Sequence, residues 1–336
     1  MKKVLLLGGS GFIGRNFVKK YHSKFDITIV DQFVGSNKLL DVKEVKGDVS
    51  DGDFVVQVSK GAYCIVNLVY NKYDLIKNIK IINNIINACV INEIDKLIHI
   101  SSLSVYDPFI KGNLDEASKY STLSDPYSNI KQRQEKLLEI FFRKYRKCEI
   151  VILQPTIIYG DGGNWSKHAN KEIQKEKLFL PNEGNHICNI VSINEVIEAI
   201  CLVIDNDHSA NSIERFLISG ERHITWKEFY DMHRKELNVL TNYSVHDVKS
   251  GNRYHDNFFI NALYGLIFSK FGYYIVLLLN KCIYKIKNKV EKKDSSKAFT
   301  PVGMNRLVHT SSFIVNTEKF SKVYSSKKGI KQFFSN

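Results

Sequence analysis

The stretch Lys2 to Gly14, KKVLLLGGSGFIG, limits what this chain can fold into more than any other. Val4 to Leu7 is an unbroken apolar run, the length of a strand buried on both faces. Glycines follow at Gly8, Gly9, Gly11 and Gly14, and an amphipathic stretch begins at Phe12 and Ile13. From Gly9 the spacing reads G-x-G-x-x-G; from Gly8 it reads G-x-x-G-x-x-G. Such glycines make a tight turn, let the backbone approach a pyrophosphate and let helix pack on strand. The anion then rests on the unpaired N–H groups that open the helix. A second strand, Ile27 to Val30, ends in Asp31 about 20 residues past the glycines, where a carboxylate accepts the adenosine ribose hydroxyls of a dinucleotide. Asp31 would repel a 2′-phosphate, which favours NAD over NADP.

The same rhythm continues. Glu44 to Val49 reads as a short strand and a polar turn, with Asp48 and Val49 beside an adenine pocket. Tyr63 to Tyr70 reads as a buried strand whose exit, at Leu68 and Val69, approaches a nicotinamide ribose. A helical pattern spans Asp74 to Asn92, and Lys96 to Ile100 is another strand, with His99 as a packed strand residue. Strands alternating with helices in this way predict an α/β fold with a doubly wound parallel sheet of the Rossmann type.

The 336 residues suffice for one large α/β domain, residues 1–160, and a smaller mixed α/β substrate lobe, residues 161–336, from which the sheet also receives later segments. Six cysteines, Cys64, Cys89, Cys148, Cys188, Cys201 and Cys282, form no C-x-x-C pair and sit mostly in apolar runs. They read as reduced core residues of a cytoplasmic protein, with no metal site. The start of the chain runs directly into the first strand, leaving no room for a signal peptide. The formal charge of +13 is high, but its lysines are spread and no nucleic-acid module is visible, so no nucleic-acid partner is expected.

Two further groups carry chemistry. Ser101-Ser102-Leu103-Ser104-Val105-Tyr106 clusters hydroxyls where a parallel strand ends, the edge at which such sheets bind ligands. In Ser124-Asp125-Pro126-Tyr127-Ser128-Asn129-Ile130-Lys131, Ser124 or Asp125 can cap a helix and Pro126 suits its first turn. Tyr127 and Lys131 then stand one turn apart on one face. An ammonium beside a phenol favours phenolate, the tuning that a general base needs.

The order GGSGFIG, Asp31, GDV, Asn78 within NIKIINNIINAC, SSLSVY and YSNIK resembles the extended short-chain dehydrogenase/reductases, the group that contains the nucleotide-sugar epimerases and dehydratases. LQPTIIYG, Leu153 to Gly160, is similar to that family's L-R-P-x-x-V-Y-G, and the likeness covers residues 1–235. It implies a catalytic trio of Ser102, Tyr127 and Lys131. It implies NAD held by Gly8, Gly11, Phe12, Ile13, Gly14, Asp31, Asp48, Val49, Leu68, Val69, Asn78 and Pro155 together with Tyr127 and Lys131. Ser102, Ser104 and Arg306 are the implied substrate contacts, Arg306 on a substrate diphosphate. The implied activity is NAD-dependent nucleotide-sugar epimerisation in surface polysaccharide biosynthesis. A keto-sugar reductase or dehydrogenase, or an oxidoreductase like the 3β-hydroxysteroid dehydrogenases, uses the same scaffold, and a dinucleotide-binding scaffold without chemistry is the alternative from another class.

Departures from the family pattern narrow this. Leu103 and Ser104 stand where the 4,6-dehydratases carry an acidic pair, which argues against elimination of water. Gln154 replaces the usual Arg, Asp107 the usual Gly, and Ile157 stands where the UDP-galactose 4-epimerase has a substrate-contacting Asn.

In the second half, Trp165 to Lys177 reads as a helix, Leu180 to Gly184 as a turn, Ile187 to Val191 as a strand and Ile193 to Ile204 as a helix. Phe216 to Gly220 and Thr225 to Phe229 read as a strand and a capped helix; Lys167, His168 and Arg222 are weaker site candidates. Residues 257–293 are unusual. Phe258 to Tyr284 is almost wholly apolar and aromatic, and Lys285, Lys287, Lys289, Lys292 and Lys293 follow. Aromatic-plus-lysine character fits helices lying in a membrane interface, on the cytoplasmic face. A helical cap or an oligomer contact, such as a homodimer face, would bury the same residues.

Overall fold

The computed structural model describes residues 1–35, 42–72, 74–108, 110–122, 126–174, 177–206, 212–220, 223–237, 244–247 and 312–324. The chain opens with β1 (Lys3–Leu7), α1 (Phe12–Tyr21), β2 (Asp26–Asp31), β3 (Lys43–Lys46) and α2 (Gly52–Val58). It continues through β4 (Cys64–Asn67), α3 (Leu75–Ile91), β5 (Lys96–Ile100), β6 (Lys111–Leu114), α4 (Pro126–Lys144) and β7 (Glu149–Pro155). Next come β8 (Ile157–Tyr159), α5 (Asn164–Glu172), β9 (Lys177–Leu180), β10 (Ile187–Cys188), β11 (Ile190–Ser192), α6 (Ile193–Asp205) and β12 (Ile213–Ile218). β13 (Ile224–Thr225), α7 (Trp226–Glu236), β14 (Ser244–Asp247), β15 (Ser312–Val315) and a short helix, Glu318–Tyr324, follow.

Seven strands form one sheet in the order β12-β7-β5-β4-β1-β2-β3. Every pairing in it is parallel. Strand order reverses around β1, the topological switch point at which doubly wound sheets bind ligands beyond their carboxyl edge. Alternation along β1 explains why its apolar run is unbroken. Val4 and Leu6 face a core that includes Phe17 and Val18 of α1 and Val196 and Ile200 of α6. Leu5 and Leu7 face the opposite core, with Val55 of α2, Ile81 and Ile85 of α3 and Leu138 of α4. Both faces of the strand are therefore dry, as a parallel sheet between two helical layers requires.

Lysines secure the open end of α6. Lys2 Nζ donates to the Ile204 carbonyl at 2.8 Å, and the buried Lys96 Nζ donates to Val203 at 2.6 Å and Asn206 at 2.5 Å. These cations meet the last-turn carbonyls and the negative end of the helix dipole. Lys96 also pairs with Glu149 at 3.2 Å, so this buried charge is neutralised within the sheet.

The second half departs from its sequence reading in two places. The helix expected over Trp165 to Lys177 stops at Glu172, because Ile173 caps it and Lys177 already pairs with Ser244 in a parallel two-stranded sheet. The strand expected over Ile187 to Val191 is two strands. Ile187–Cys188 pairs with β13, and Ile190–Ser192 pairs with β8, while the buried Asn189 between them donates to the Phe313 carbonyl at 3.1 Å. Polar Asn189 serves an incoming chain segment, so the apolar pattern alone could not show the break. Residues 257–293, Arg222, Arg306, Ser124, Asp125 and Cys282 lie outside the described residues. Among the described residues, no helix is long and apolar enough to cross a membrane.

A tight backbone-to-backbone joint lies between α1 and the loop before it. A Cβ added at Gly14 would stand 2.3 Å from the Gly9 carbonyl oxygen. Gly14→Ala is expected to cost about 1–3 kcal/mol through overpacking, read as a lowered urea midpoint with unchanged slope.

Candidate active site

The site begins where β1 turns into α1. Gly8 has φ +79°, a left-handed conformation that side chains disfavour, and its N–H donates to Val30 at 2.8 Å. α1 opens at Gly11 with no side-chain cap and no acidic residue in its first turn. Its leading N–H groups are thus left for an anion. The Ser10 hydroxyl is buried without a hydrogen-bond partner. Asp31, at the end of β2, accepts from Ser10 N at 3.1 Å and from Phe33 N at 3.2 Å, so its carboxylate is held against the glycine loop. A cradle without side chains, an orphaned hydroxyl and a tethered carboxylate fit the pyrophosphate and ribose diol of a dinucleotide. Phe12 closes the corner on one side. A Cβ at Gly163 would lie 2.9 Å from the Phe12 ring, so the loop after β8 rests on α1 there.

The loop after β4 borders the same corner. A Cβ at Gly8 would meet Leu68 and Val69 at 3.2 Å. Leu68 N donates to Leu7 at 2.9 Å, and Val69 N donates to the Asn67 side chain at 3.1 Å. Asn78 is buried and faces this loop. Its Nδ2 donates to the Asn71 and Asp74 carbonyls at 2.6 Å each, and its Oδ1 accepts from Asn71 N at 3.0 Å. In this geometry Asn78 shapes the loop through its amide. Asp48 pairs with Lys77 at 3.0 Å. Against the opposing penalty of burial, bonds from Ser50 and the Lys77 ammonium hold the Asp48 carboxyl down at about 2. Val49 is buried in the core under α2 and α3, and Pro155 closes β7 opposite Ile218.

The hydroxyl cluster divides sharply. Ser101 points inward and donates to Glu135 of α4. Ser102 caps the short turn Leu103–Val105. Its oxygen accepts from Ser104 N at 3.2 Å and from the Ser104 hydroxyl at 3.1 Å. Gln132 Nε2 fastens this turn to α4 by donating to Val105 O at 2.8 Å and Ser121 O at 2.9 Å.

Lys131 is buried on the same helix, and its Nζ donates to the Ile100 carbonyl at 2.7 Å, at the end of β5. Burial pushes its ammonium down to about 8, while the Glu135 carboxylate pulls the other way. Tyr127, one turn earlier, stands edge-on to Tyr70 with ring centroids 5.0 Å apart. His99 lies in β5 as expected, fully buried, with Nδ1 3.0 Å from the Asn67 amide nitrogen. Burial, and secondarily the Lys131 charge, hold the imidazole far below its ordinary pKa, so it stays neutral.

Glu135 was not visible as a site residue in the sequence, although it continues the i, i+4 series of Tyr127 and Lys131. It is completely buried and accepts from Ser101, Tyr120, Gln154 and Arg215. Gln154 donates at 3.0 Å and 3.2 Å while its own oxygen accepts from Tyr106 at 2.8 Å. The balancing charge is Arg215 of β12, 3.2 Å away, which also pairs with Glu139. The cation comes from the neighbouring strand, a juxtaposition made by the parallel pairing of β12 with β7.

The doubly wound sheet and the glycine corner at its switch point define a dinucleotide-binding Rossmann protein. Residues 4–219 match the family model "NAD dependent epimerase/dehydratase family", and the chain belongs to that family. It is 24% identical over 212 residues to N-acetyl-alpha-D-glucosaminyl-diphospho-ditrans,octacis-undecaprenol 4-epimerase of Escherichia coli O157:H7; the match takes in 60% of this chain and 63% of that protein. It is 24% identical over 243 residues to UDP-glucose 4-epimerase of Vibrio cholerae, covering 68% of this chain and 73% of the relative. Among solved structures it resembles UDP-glucuronic acid 4-epimerase from Bacillus cereus in complex with UDP-glucuronic acid and NAD. There the TM-score is 0.63 at 19% identity, over 73% of this chain and 86% of that one.

Because the Glu135 carboxylate raises the Lys131 pKa, Glu135→Gln should lower it further. The alkaline fall in turnover, expected near pH 8 where Lys131 loses its proton, should then move to lower pH. A pH–rate profile of the two proteins measures the displacement.

Proposed function

We propose that this chain is an NAD-dependent epimerase of a sugar carried on a diphosphate, serving surface polysaccharide assembly. The observation that carries the reading is the docking of α4 on the end of β5. There Lys131 bonds Ile100, two residues before Ser102, and Tyr127 stands one turn away. Bound NAD would accept a hydride from a sugar carbon and return it. Gly8, Gly11, Phe12, Ile13 and Gly14 with Asp31 hold it on this reading, and Leu68, Val69 and Pro155 border its nicotinamide end.

The protein's own residues manage the proton. Tyr127 takes the proton of the sugar hydroxyl. Ser102, already accepting two bonds from Ser104, donates its own hydrogen to the same oxygen and holds it in place as the carbonyl forms. Lys131 favours the phenolate by charge and loses that power once deprotonated. If the keto sugar turns over before reduction, the product is the epimer. Leu103 and Ser104 offer no carboxyl to expel water, which supports epimerisation over dehydration. Arg306 belongs to the proposed substrate set as a diphosphate contact.

A second reading concerns what carries the sugar. The aromatic, lysine-flanked tract 257–293 favours a polyprenyl diphosphate over a soluble nucleotide, and the Escherichia coli relative is named for such a substrate. On this reading the protein sits peripherally on the cytoplasmic membrane face.

Tyr127→Phe should reduce turnover by about 10²- to 10⁴-fold, the usual contribution of acid–base catalysis, while NAD titration by fluorescence stays unchanged. Wild-type turnover in this variant would remove Tyr127 from the mechanism. For the carrier, membranes from expressing cells should retain the protein through a high-salt wash and release it in detergent. Recovery wholly in the soluble fraction before any detergent would exclude the membrane-surface reading.

A further inference from the structure

We propose that Tyr70 is a positioning residue for the acid–base pair, its ring in contact with both Tyr127 and Lys131 so that the two side chains are held in one fixed arrangement. The inference rests on the reading of those two residues as the catalytic pair. Tyr70 belongs to no motif in the sequence; it lies in the loop that leaves β4. In the structure its ring meets the Tyr127 ring at 90° with centroids 5.0 Å apart. Lys131 Nζ lies 5.6 Å from the centroid of the same Tyr70 ring. One aromatic side chain thus touches both members of the pair, one through an edge-to-face contact and the other through a cation–π contact.

The loop is built to hold that ring. On one side Leu68 N is bonded to Leu7 at 2.9 Å and Val69 N to the Asn67 side chain at 3.1 Å. On the other, both backbone groups of Asn71 are bonded to the buried Asn78 amide, at 3.0 Å and 2.6 Å. Tyr70 is therefore bracketed by pinned neighbours and has little freedom to swing. Asn78, a candidate cofactor contact by family resemblance, acquires a second effect here because its amide sets the position of Tyr70.

Physically the ring does two things. It fills the side of the ammonium that water would otherwise reach, and its π face attracts the charge that remains. Lys131 also bonds the Ile100 carbonyl, which draws it toward β5; the Tyr70 ring opposes a complete turn away from Tyr127. The edge contact on Tyr127 limits rotation of the phenol at the same time. A misplacement of even about 1 Å in such a pair can cost about a hundred-fold in rate.

The test replaces the ring and then restores it. Tyr70→Leu and Tyr70→Met, both apolar and without a ring, should lower kcat by on the order of ten- to a hundred-fold, with KM and NAD affinity unchanged. Tyr70→Phe, which keeps the ring and loses only the hydroxyl, should restore kcat. A substrate-independent measurement accompanies this: the phenolate absorbance of Tyr127, isolated by subtracting the Tyr127→Phe protein in each background. Its midpoint should move by about one pH unit or more, a ten-fold change in ionisation, to higher pH in Tyr70→Leu and Tyr70→Met but not in Tyr70→Phe. If the midpoint moves but no sugar diphosphate is turned over by the wild type, the epimerase reading fails and the positioning role stands. A midpoint and kcat that match the wild type in Tyr70→Leu or Tyr70→Met overturn the role. So does a loss of NAD affinity that accounts for the whole fall in rate.

Discussion

The structure depends first on one close approach, that of α1 to the loop before it. Gly14 allows the helix backbone to lie against the Gly9 carbonyl, where a side chain would collide. That contact sets the direction of α1, and the direction of α1 aims its uncapped N-terminus at the carboxyl edge of β1. Since β1 pairs in parallel with both β2 and β4, the same corner brings Asp31 from one side and the Leu68–Val69 loop from the other. The cofactor corner is assembled by the sheet, and the glycines keep it clear of side chains.

A second dependence runs along α4. Tyr127, Lys131 and Glu135 follow one another at single turns, yet they meet different surroundings. Tyr127 meets the ring of Tyr70, Lys131 meets the end of β5, and Glu135 is wholly enclosed by hydroxyls, an amide and a guanidinium. A carboxylate taken this far from water needs a cation and a full set of donors. Arg215 supplies the cation from β12, a strand that belongs by sequence to the second half of the chain. This later segment is therefore tied to α4 by an ion pair as well as to β7 by the shared sheet.

Much of this was readable in advance because it rests on local chemistry. The glycine spacing, the carboxylate at the end of the second strand and the i, i+4 relation of Tyr127 and Lys131 are properties of short segments. The five described cysteines are buried and free, as their apolar settings suggested. What escaped was non-local. Ser101 and Ser102 are adjacent and chemically identical, and nothing in their order says which hydroxyl turns toward Glu135 and which caps the turn Leu103–Val105. The cation that meets Glu135 was equally out of sight, because Arg215 lies 80 residues further along the chain.

By itself the sequence determined the type of sheet, the corner prepared for a dinucleotide and the one-turn spacing of Tyr127 and Lys131. Those follow from steric freedom at glycine, from strand and helix periodicity and from side-chain acidity, each acting within a few residues. Tertiary structure alone decided that Tyr70 touches both Tyr127 and Lys131, that Asn78 anchors the loop carrying it, and that Arg215 pairs with Glu135. Contacts of that kind arise only when strands distant in the chain are laid side by side, since the forces involved reach a few ångströms through space and take no account of separation along the backbone.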